Sequence, residues 1–388
     1  MWIAGITRGH NAGVCLLKDG KIVFNSEEER YSRYKYDGGP FASMTKILEY
    51  TDKIDYLAVA HTSTLQDSAI KVDFAGDDVY TAMARKLRLI EKSENLDPSA
   101  PHPQVIDLSE QHHKLHASIA FYNSGFDSAV AVIVDGAGTF LNLNHDQNNM
   151  TAFELESIFS CEYPAKFKTL YRHIGTNGPL QNAYLPDMDS SSIKGEHGTH
   201  ECIIDDTCGI VKTYEAATHY CRFACIEAGK TMGLFPYGKP NPNIPKLFTN
   251  GGPGGLWESA DRNVLIPTYP NGGRVNENRF SELNTHGEYK NPDADVTVLQ
   301  NRRDMAYAVQ TETQEQVLKL ILKAVEMTGN KNVVLAGGYG LNCVANYYYL
   351  EELNKHGIKL YVEPMSNDAG TAMGAAYAVH YMKTRDTR

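Results

Sequence analysis

Residues 111–135 read QHHKLHASIAFYNSGFDSAVAVIVD, a helix, a stop and a buried strand in succession. Leu115, Ile119 and Tyr122 recur at helical spacing with alanines filling the gaps, which predicts a helix over 110–122. Asn123, Ser124 and Gly125 end it. The β-branched run Ala129–Val134 then reads as a buried strand that delivers Asp135 at its end, before a Gly-x-Gly turn at Gly136 and Gly138. His112 and His116 are four residues apart, so the helix sets both imidazoles on one face, one turn apart. Two imidazoles and one carboxylate suit a divalent transition metal. Taken alone, such a histidine pair is read more simply as hydrogen bonding in the core or facing water. The rest of the chain decides between the two.

Working outward, the N-terminus looks like a three-stranded meander: Trp2–Ile6, Gly13–Leu17 and Lys21–Asn25, with Asp19-Gly20 as a two-residue hairpin signal. Small residues between the first two strands, Gly9 to Gly13, let backbone amides approach a ligand. An acidic run at Glu27–Glu29 meets Arg30, Arg33 and Lys35, which fits a solvated segment or an anion site equally. Ala42–Tyr50 and Val79–Glu91 are expected as helices and Ile54–Ala60 as a buried strand. From Ser128 the opening pattern returns: strand, glycine turn, then strands at Phe140–Leu143 and Thr151–Phe159. Two such halves suggest an internally duplicated α/β protein, with the Gly9–Gly13 and Asp135–Gly138 loops facing each other across a cleft. The expected division is 1–127 and 128–388, with irregular inserts at about 164–207 and 241–300.

Further along, Tyr214–Ala228 and Asp304–Thr328 are expected as helices. The loop from Glu227 to Gly238 carries Lys230 ahead of Gly233, the reverse of a P-loop. His197, His200, Cys202 and Cys208 lie close in sequence but lack the paired spacing of a zinc knuckle. Strand Val333–Ala336 runs into Gly337-Gly338-Tyr-Gly340-Leu-Asn342 at a helix start, a favourable anion site. Lys359–Glu363 is the last strand. Asp368 opens the closing helix, where it serves either as a cap or, if that helix start points into the cleft, as a metal ligand.

Composition limits the rest. The 388 residues are 42% hydrophobic, enough for a real core, and no apolar run approaches a membrane span. Seven scattered cysteines and no secretory signal pattern predict free thiols in the cytoplasm. A net charge of −10 gives no global attraction for nucleic acid or anionic lipid. The 23 tyrosines are more than a core uses, so some are expected to line a wet cleft.

Seven segments, in order and spanning nearly the whole chain, together resemble the O-carbamoyltransferases typified by nodulation protein U and by the enzymes that carbamoylate cephamycin and tobramycin. They are Gly9-His10-Asn11-Ala12-Gly13, Glu27-Glu-Glu-Arg30-x-x-Arg33-x-Lys35, His112-His-Lys-Leu-His116-Ala, Asp135-Gly-Ala-Gly138, Glu227-Ala-Gly-Lys230-Thr-Met-Gly233, Gly337-Gly338-Tyr-Gly-Leu-Asn342-Cys-Val-Ala-Asn346 and Asp368-Ala-Gly-Thr-Ala-Met-Gly-Ala-Ala376. Asn11 stands where the family usually has Asp, and Tyr36 where it has His. The resemblance implies an actin-like ATPase (ASKHA) fold of two ribonuclease-H-like lobes, shared with tRNA threonylcarbamoyl transferases. It implies a metal, Fe2+ or else Zn2+ or Mn2+, on His112, His116, Asp135 and Asp368. It implies carbamoyl transfer from carbamoyl phosphate, via ATP and carbamoyl-adenylate, to a hydroxyl of a sugar, an antibiotic or a hydroxymethylated pyrimidine in nucleotide or DNA. His10 and Lys35 would then act at the reacting centre. Gly136, Gly138, Lys230, Gly233, Gly337, Gly338 and Asn342 would bind the nucleotide and its phosphate, and Glu227 the ribose. Long relatives add a C-terminal YrdC-like domain that makes the adenylate, so the expectations are that a YrdC-like partner supplies the activated carbamoyl, that this chain's own domain makes it, or that the chain is incomplete. The alternatives are a tRNA threonylcarbamoyl transferase-like enzyme and a non-catalytic nucleotide-binding subunit.

Overall fold

The computed structural model describes residues 1–62, 78–92, 102–145, 148–176, 192–197, 200–249, 264–267, 272–276 and 296–385. The first part of the chain forms β1 (Trp2–Thr7), β2 (Gly13–Lys18), β3 (Lys21–Glu27), the short helices α1 (Glu29–Ser32) and α2 (Phe41–Thr45), β4 (Tyr56–Ala60), α3 (Val79–Lys86), β5 (Val105–Asp107) and α4 (His112–Ser124). There follow β6 (Ser128–Val134), β7 (Phe140–His145), β8 (Asn148–Glu162), β9 (Lys166–Thr176), β10 (Ser192–His197), β11 (His200–Asp205), α5 (Gly209–Tyr220), α6 (Ala228–Leu234), β12 (Leu265–Pro267) and β13 (Gly273–Val275). The chain closes with α7 (Val296–Thr328), β14 (Asn332–Ala336), α8 (Cys343–Asn354), β15 (Lys359–Val362) and α9 (Ala369–Thr384).

The duplication is visible in the hydrogen bonding. The first sheet has the order β3-β2-β1-β4-β5, antiparallel between its first three strands and parallel thereafter. The second contains the run β9-β8-β6-β14-β15, with the same alternation of antiparallel and parallel pairs. The parallel strands β6 and β14 are buried along their length, as continuous apolar runs require. Two helices fill the space between the sheets. α9, the last element of the chain, packs on β1, β2 and β4 of the first sheet and against α4. α4 in turn touches β6 and β14 of the second. Covered on both sides, α4 is buried almost all round, from His112 to Tyr122. Gly125, at φ 74°, ends it in the left-handed conformation.

Several expected elements differ. The stretch 164–207 was expected to be irregular, but it contains β9, β10 and β11. β9 alternates exposed with partly buried positions through its first half, Lys166-Phe-Lys-Thr-Leu, so charged residues on its solvated face hide the strand. The expected helix Tyr214–Ala228 begins earlier, at Gly209, and stops at Tyr220. Arg222 takes φ 69° just beyond that stop, and the chain resumes as a 3-10 turn at Cys225–Glu227 followed by α6. Likewise α3 ends at Lys86 rather than running to Glu91, because Arg88 turns the chain at φ 60°. α2 gives way to a 3-10 turn over Lys46–Glu49. α7 starts at Val296, ahead of the expected Asp304. Most of 241–300 and the side chain of His197 lie outside the described residues.

Candidate metal centre and ligand cavity

Asp135 ends β6, and Asp368 precedes α9. Both come to the N-terminal end of α4, which carries the two histidines. The approach depends on a glycine. A Cβ on Gly374 would stand 2.1 Å from the Leu115 carbonyl oxygen, so only glycine lets α9 lie this close to α4 between His112 and His116. Ser118 marks the same crossing by donating its hydroxyl to the Gly374 carbonyl at 2.8 Å. On the other side Gly337, at φ 90°, fits only because it lacks a Cβ, which would stand 2.3 Å from the Val134 carbonyl. That seats the β14 turn against β6, and Gly338 N–H donates to Asp135 Oδ1 at 3.0 Å. One oxygen of Asp135 is thereby anchored and the other faces the histidines.

The four side chains meet. His112 and His116 present Nε2 atoms 3.1 Å apart. His112 Nε2 lies 3.4 Å from both Asp135 Oδ2 and Asp368 Oδ1, and His116 Nε2 lies 3.9 and 3.6 Å from the same two oxygens. All four atoms fall within 4.8 Å of one another, and this is the one such cluster among the described residues. Ligands at about 2.1 Å from a common ion stand about 3.0 Å apart at a right angle, about 3.4 Å at the tetrahedral angle and about 4.2 Å when opposed. The observed separations of 3.1 to 3.9 Å lie within that range. The donor set fits a divalent metal. Both Nδ1 atoms are buried without a hydrogen-bond partner among the described residues. Asp368 makes no capping hydrogen bond to α9, so its carboxylate is directed at the histidines.

The electrostatics point the same way. Burial would push His112 down, but the carboxylates of Asp368 and Asp135 outweigh it and raise the group to about 10. Burial would raise the two carboxyls, but His112 holds Asp135 below the usual carboxylate range and Asp368 well below it. Two buried negative charges here demand positive charge, whether imidazolium or metal. Behind them, Thr139 Oγ1 accepts from His112 N–H at 3.1 Å, and Glu154 Oε2 accepts from Thr139 N–H at 3.0 Å. His113 turns away from the cluster to Ser157, 2.7 Å from its Nδ1, and burial lowers it to about 4.

A cavity of about 560 Å³ opens from this cluster. Asp135 and Asp368 line it, and His10 and Asn11 of the first sheet's loop face Gly136 and Ala137 of the second. His10 Nδ1 is 3.9 Å from Asp368 Oδ2. Gly338 and Asn342 also reach the wall, but the Asn342 amide is committed: it exchanges hydrogen bonds with Gln310 at 3.0 and 3.2 Å and caps α8 by accepting from Ala345 N–H at 3.0 Å. Other expected binding residues stand off the wall. Gly138 lies against the His113 ring and donates to the Glu154 carbonyl. Gly337 is a packing glycine. Glu227 pairs with Lys230 at 2.6 Å and accepts from Ala224 N–H at 3.2 Å, and neither they nor Gly233 line the cavity. Lys35 is solvent-exposed, its ammonium 4.6 Å from the Tyr36 ring centroid. Tyr36 lines the cavity and donates across the cleft to the Ile226 carbonyl at 3.4 Å.

Sequence reasoning missed the face supplied by α5, which puts Val211, Tyr214 and Glu215 into the wall. Burial raises the Glu215 carboxyl and lowers the neighbouring, fully buried Lys212. A buried triad fixes the start of α5. His173 lies between Glu156 and Asp205, with Nε2 3.0 Å from Asp205 Oδ1. Glu156 Oε1 accepts from Ile210 N–H at 2.8 Å, and Asp205 Oδ1 from Thr207 N–H at 3.0 Å. Nothing local in the sequence marks these residues, because each is a lone polar side chain on a different strand or turn.

Comparison with known proteins places the fold. Residues 74–377 match the family model described as carbamoyltransferase N-terminus. A Synechocystis protein, sll1178, is 25% identical over 98% of this chain and 57% of its own length. Nodulation protein NolNO of Sinorhizobium fredii is 25% identical over 95% of this chain and 46% of its own length. The chain thus spans about half the length of these relatives. A structure of full-length HypF in its phosphate- and nucleotide-bound form superimposes with a TM-score of 0.53 at 13% identity, covering 99% of this chain and 56% of that one. Its likeness concerns the fold, an actin-like ATPase (ASKHA) arrangement of two ribonuclease-H-like lobes. With well over half of its residues inside the family model, the chain belongs to the carbamoyltransferase N-terminus family.

Proposed function

We propose that this chain carries the transfer centre of an O-carbamoyltransferase. The single observation behind this reading is the convergence of His112, His116, Asp135 and Asp368 at one end of a cavity shared by both lobes. These four residues would hold the metal, and two imidazoles with two carboxylates suit iron(II), with zinc or manganese as alternatives. When bound, the metal supplies Lewis-acid polarisation of a carbonyl and neutralises charge on a phosphate. The donor is carbamoyl-adenylate, made from carbamoyl phosphate and ATP. The Gly136–Ala137 turn and the Gly338 turn bring backbone to the phosphate end of the cavity. Ile226, Met232 and Leu341 form an apolar slot for the base.

His10, in the cavity wall beside Asp368, would accept the acceptor's proton. The acceptor oxygen bonds to the carbamoyl carbon, the bond from that carbon to the phosphate oxygen breaks, AMP leaves, and the hydroxyl proton passes to His10. Lys35, solvent-exposed on the Tyr36 ring, would meet a negatively charged part of either substrate. The acceptor is a sugar, an antibiotic or a hydroxymethylated pyrimidine; the net charge of −10 favours a small molecule or nucleotide over polymeric DNA. The cytoplasm is the expected compartment: all seven cysteines are free, and no helix among the described residues is long and apolar enough to cross a membrane.

The test is a reconstitution. The protein, loaded with Fe2+, is incubated with ATP, carbamoyl phosphate and a panel of alcohols, with and without a YrdC-like protein, and products are weighed by mass spectrometry. A gain of one carbamoyl group that is lost in His116→Ala is expected. No gain on any acceptor in either arm would refute the transfer reading.

A further inference from the structure

Asn367 lines the cavity next to Asp368 of the metal cluster. Its amide is held from the first lobe: Nδ2 donates to Glu27 Oε1 at 3.0 Å. A carboxylate only accepts, so this bond fixes which way round the amide stands. The nitrogen faces Glu27, and Oδ1 is the atom left over. That oxygen is shielded from water and meets no hydrogen-bond donor among the described residues. Neither neighbour in the chain serves it. Ser366 gives its hydroxyl hydrogen to the Glu363 carbonyl. Asp368, ionised, carries only acceptors.

A buried acceptor without a donor is unfavourable until a ligand brings one. Asn367 stands at the metal end of the cavity, where the reading above puts the phosphate and the carbamoyl group. The phosphate of an adenylate has no hydrogen to donate, and the carbamoyl oxygen only accepts. The acceptor's hydroxyl hydrogen goes to His10, whose Nδ1 lies 3.9 Å from Asp368 Oδ2. What remains is the carbamoyl amino group, which carries N–H donors. We infer that Asn367 Oδ1 accepts from that amino group and so selects carbamoyl over an acyl group of the same size that lacks it, such as acetyl. A methyl group in its place would leave Oδ1 desolvated and unpaired. Asparagine suits the position because its nitrogen answers Glu27 while its oxygen answers the ligand; an aspartate there would face Glu27 and Asp368 with like charge. The inference rests on the carbamoyl-transfer reading proposed above and narrows the choice of transferred group to one side-chain atom.

The experiment is calorimetric titration of the Fe2+-loaded full chain with AMP and with two non-hydrolysable adenylates in which a sulfamate replaces the phosphate, one carrying carbamoyl and the other acetyl. Wild type is expected to bind the carbamoyl compound about 5- to 100-fold more tightly, the usual consequence of leaving one buried acceptor unpaired in the weaker complex. Asn367→Leu should bind the two adenylates alike, with the metal content and AMP affinity of wild type. Equal binding of the two adenylates by wild type would overturn the inference. So would an Asn367→Leu variant that keeps the full preference, since the discrimination would then lie elsewhere. If Asn367→Leu fails to fold or loses its metal, Asn367→Ala removes the acceptor without adding bulk, and an undiminished preference in that variant overturns the inference as well. A wild type that binds neither adenylate would instead remove the carbamoyl-adenylate reading on which the inference rests.

Discussion

Gly374→Ala tests whether the crossing of α9 over α4 builds the metal cluster. The added methyl would stand 2.1 Å from the Leu115 carbonyl oxygen, about 1.3 Å short of ordinary contact at 3.4 Å. The obstacle is helix backbone, which cannot rotate aside, so α9 must shift. Leu115 lies between His112 and His116, and Asp368 sits at the N-terminal end of α9, so the shift acts on the separation of Asp368 from both rings. Those separations are 3.4 and 3.6 Å now. Metal sites hold their ligand distances to within about 0.2 Å, so a shift near 1 Å removes Asp368 from the set. Overpacking of this kind costs about 1–3 kcal/mol of stability. Metal stoichiometry after anaerobic Fe2+ loading, measured by plasma mass spectrometry beside a thermal melt, gives the readout. The expected outcome is a folded protein with a lowered melting temperature and a large loss of bound metal. Gly233→Ala serves as the control, since nothing lies within 4 Å of its Cβ position. A Gly374→Ala protein that keeps the wild-type metal stoichiometry would refute the reasoning, whatever its melting temperature, because the cluster would then not depend on the close crossing.

Three further outcomes follow from other parts of the molecule. His173→Gln leaves Glu156 and Asp205 buried without their shared cation and should cost about 3–5 kcal/mol in urea unfolding; a loss under about 1 kcal/mol would mean the triad is not an ion cluster. His173 is raised to about 10 because the carboxylates outweigh burial, so the stability it contributes is complete below its unfolded value of about 6.5 and is lost as pH rises through 10. The stability difference between wild type and His173→Gln should therefore shrink across that window, and a constant difference would contradict the assignment. Finally, Cys225 lines the cavity while Cys202 does not, so ADP should slow alkylation of Cys225 and leave Cys202 unchanged in peptide mapping; equal rates with and without ADP would place the ligand elsewhere.

Two kinds of information met in the sequence of this chain, and they differ in how far they carried. The duplicated meanders and the helix over 112–124 rest on local periodicity, and a strand or helix writes its period into adjacent residues. Motif segments are also local, and two of them, the loops at Gly9–Gly13 and Asp135–Gly138, each a glycine turn after a strand, contribute to one cavity wall. What was not legible depends on pairs that are distant in sequence. Glu215 reads as one more polar residue of a helix until Gly136, far away along the chain, is brought to its side. His173 reads as a strand residue until Glu156 and Asp205 close around it. Glu227 shows the same dependence: the resemblance marks it as a ligand contact by motif position, and in the structure it pairs with Lys230 three residues on and does not line the cavity. Asp368 shows the converse. At the start of a helix the easy use of a carboxylate is to cap it, and here that use is declined. A partly buried carboxylate that gives up its own helix's amides for two imidazoles on another helix must be repaid there, and the cluster at the lobe junction is where that cost is met.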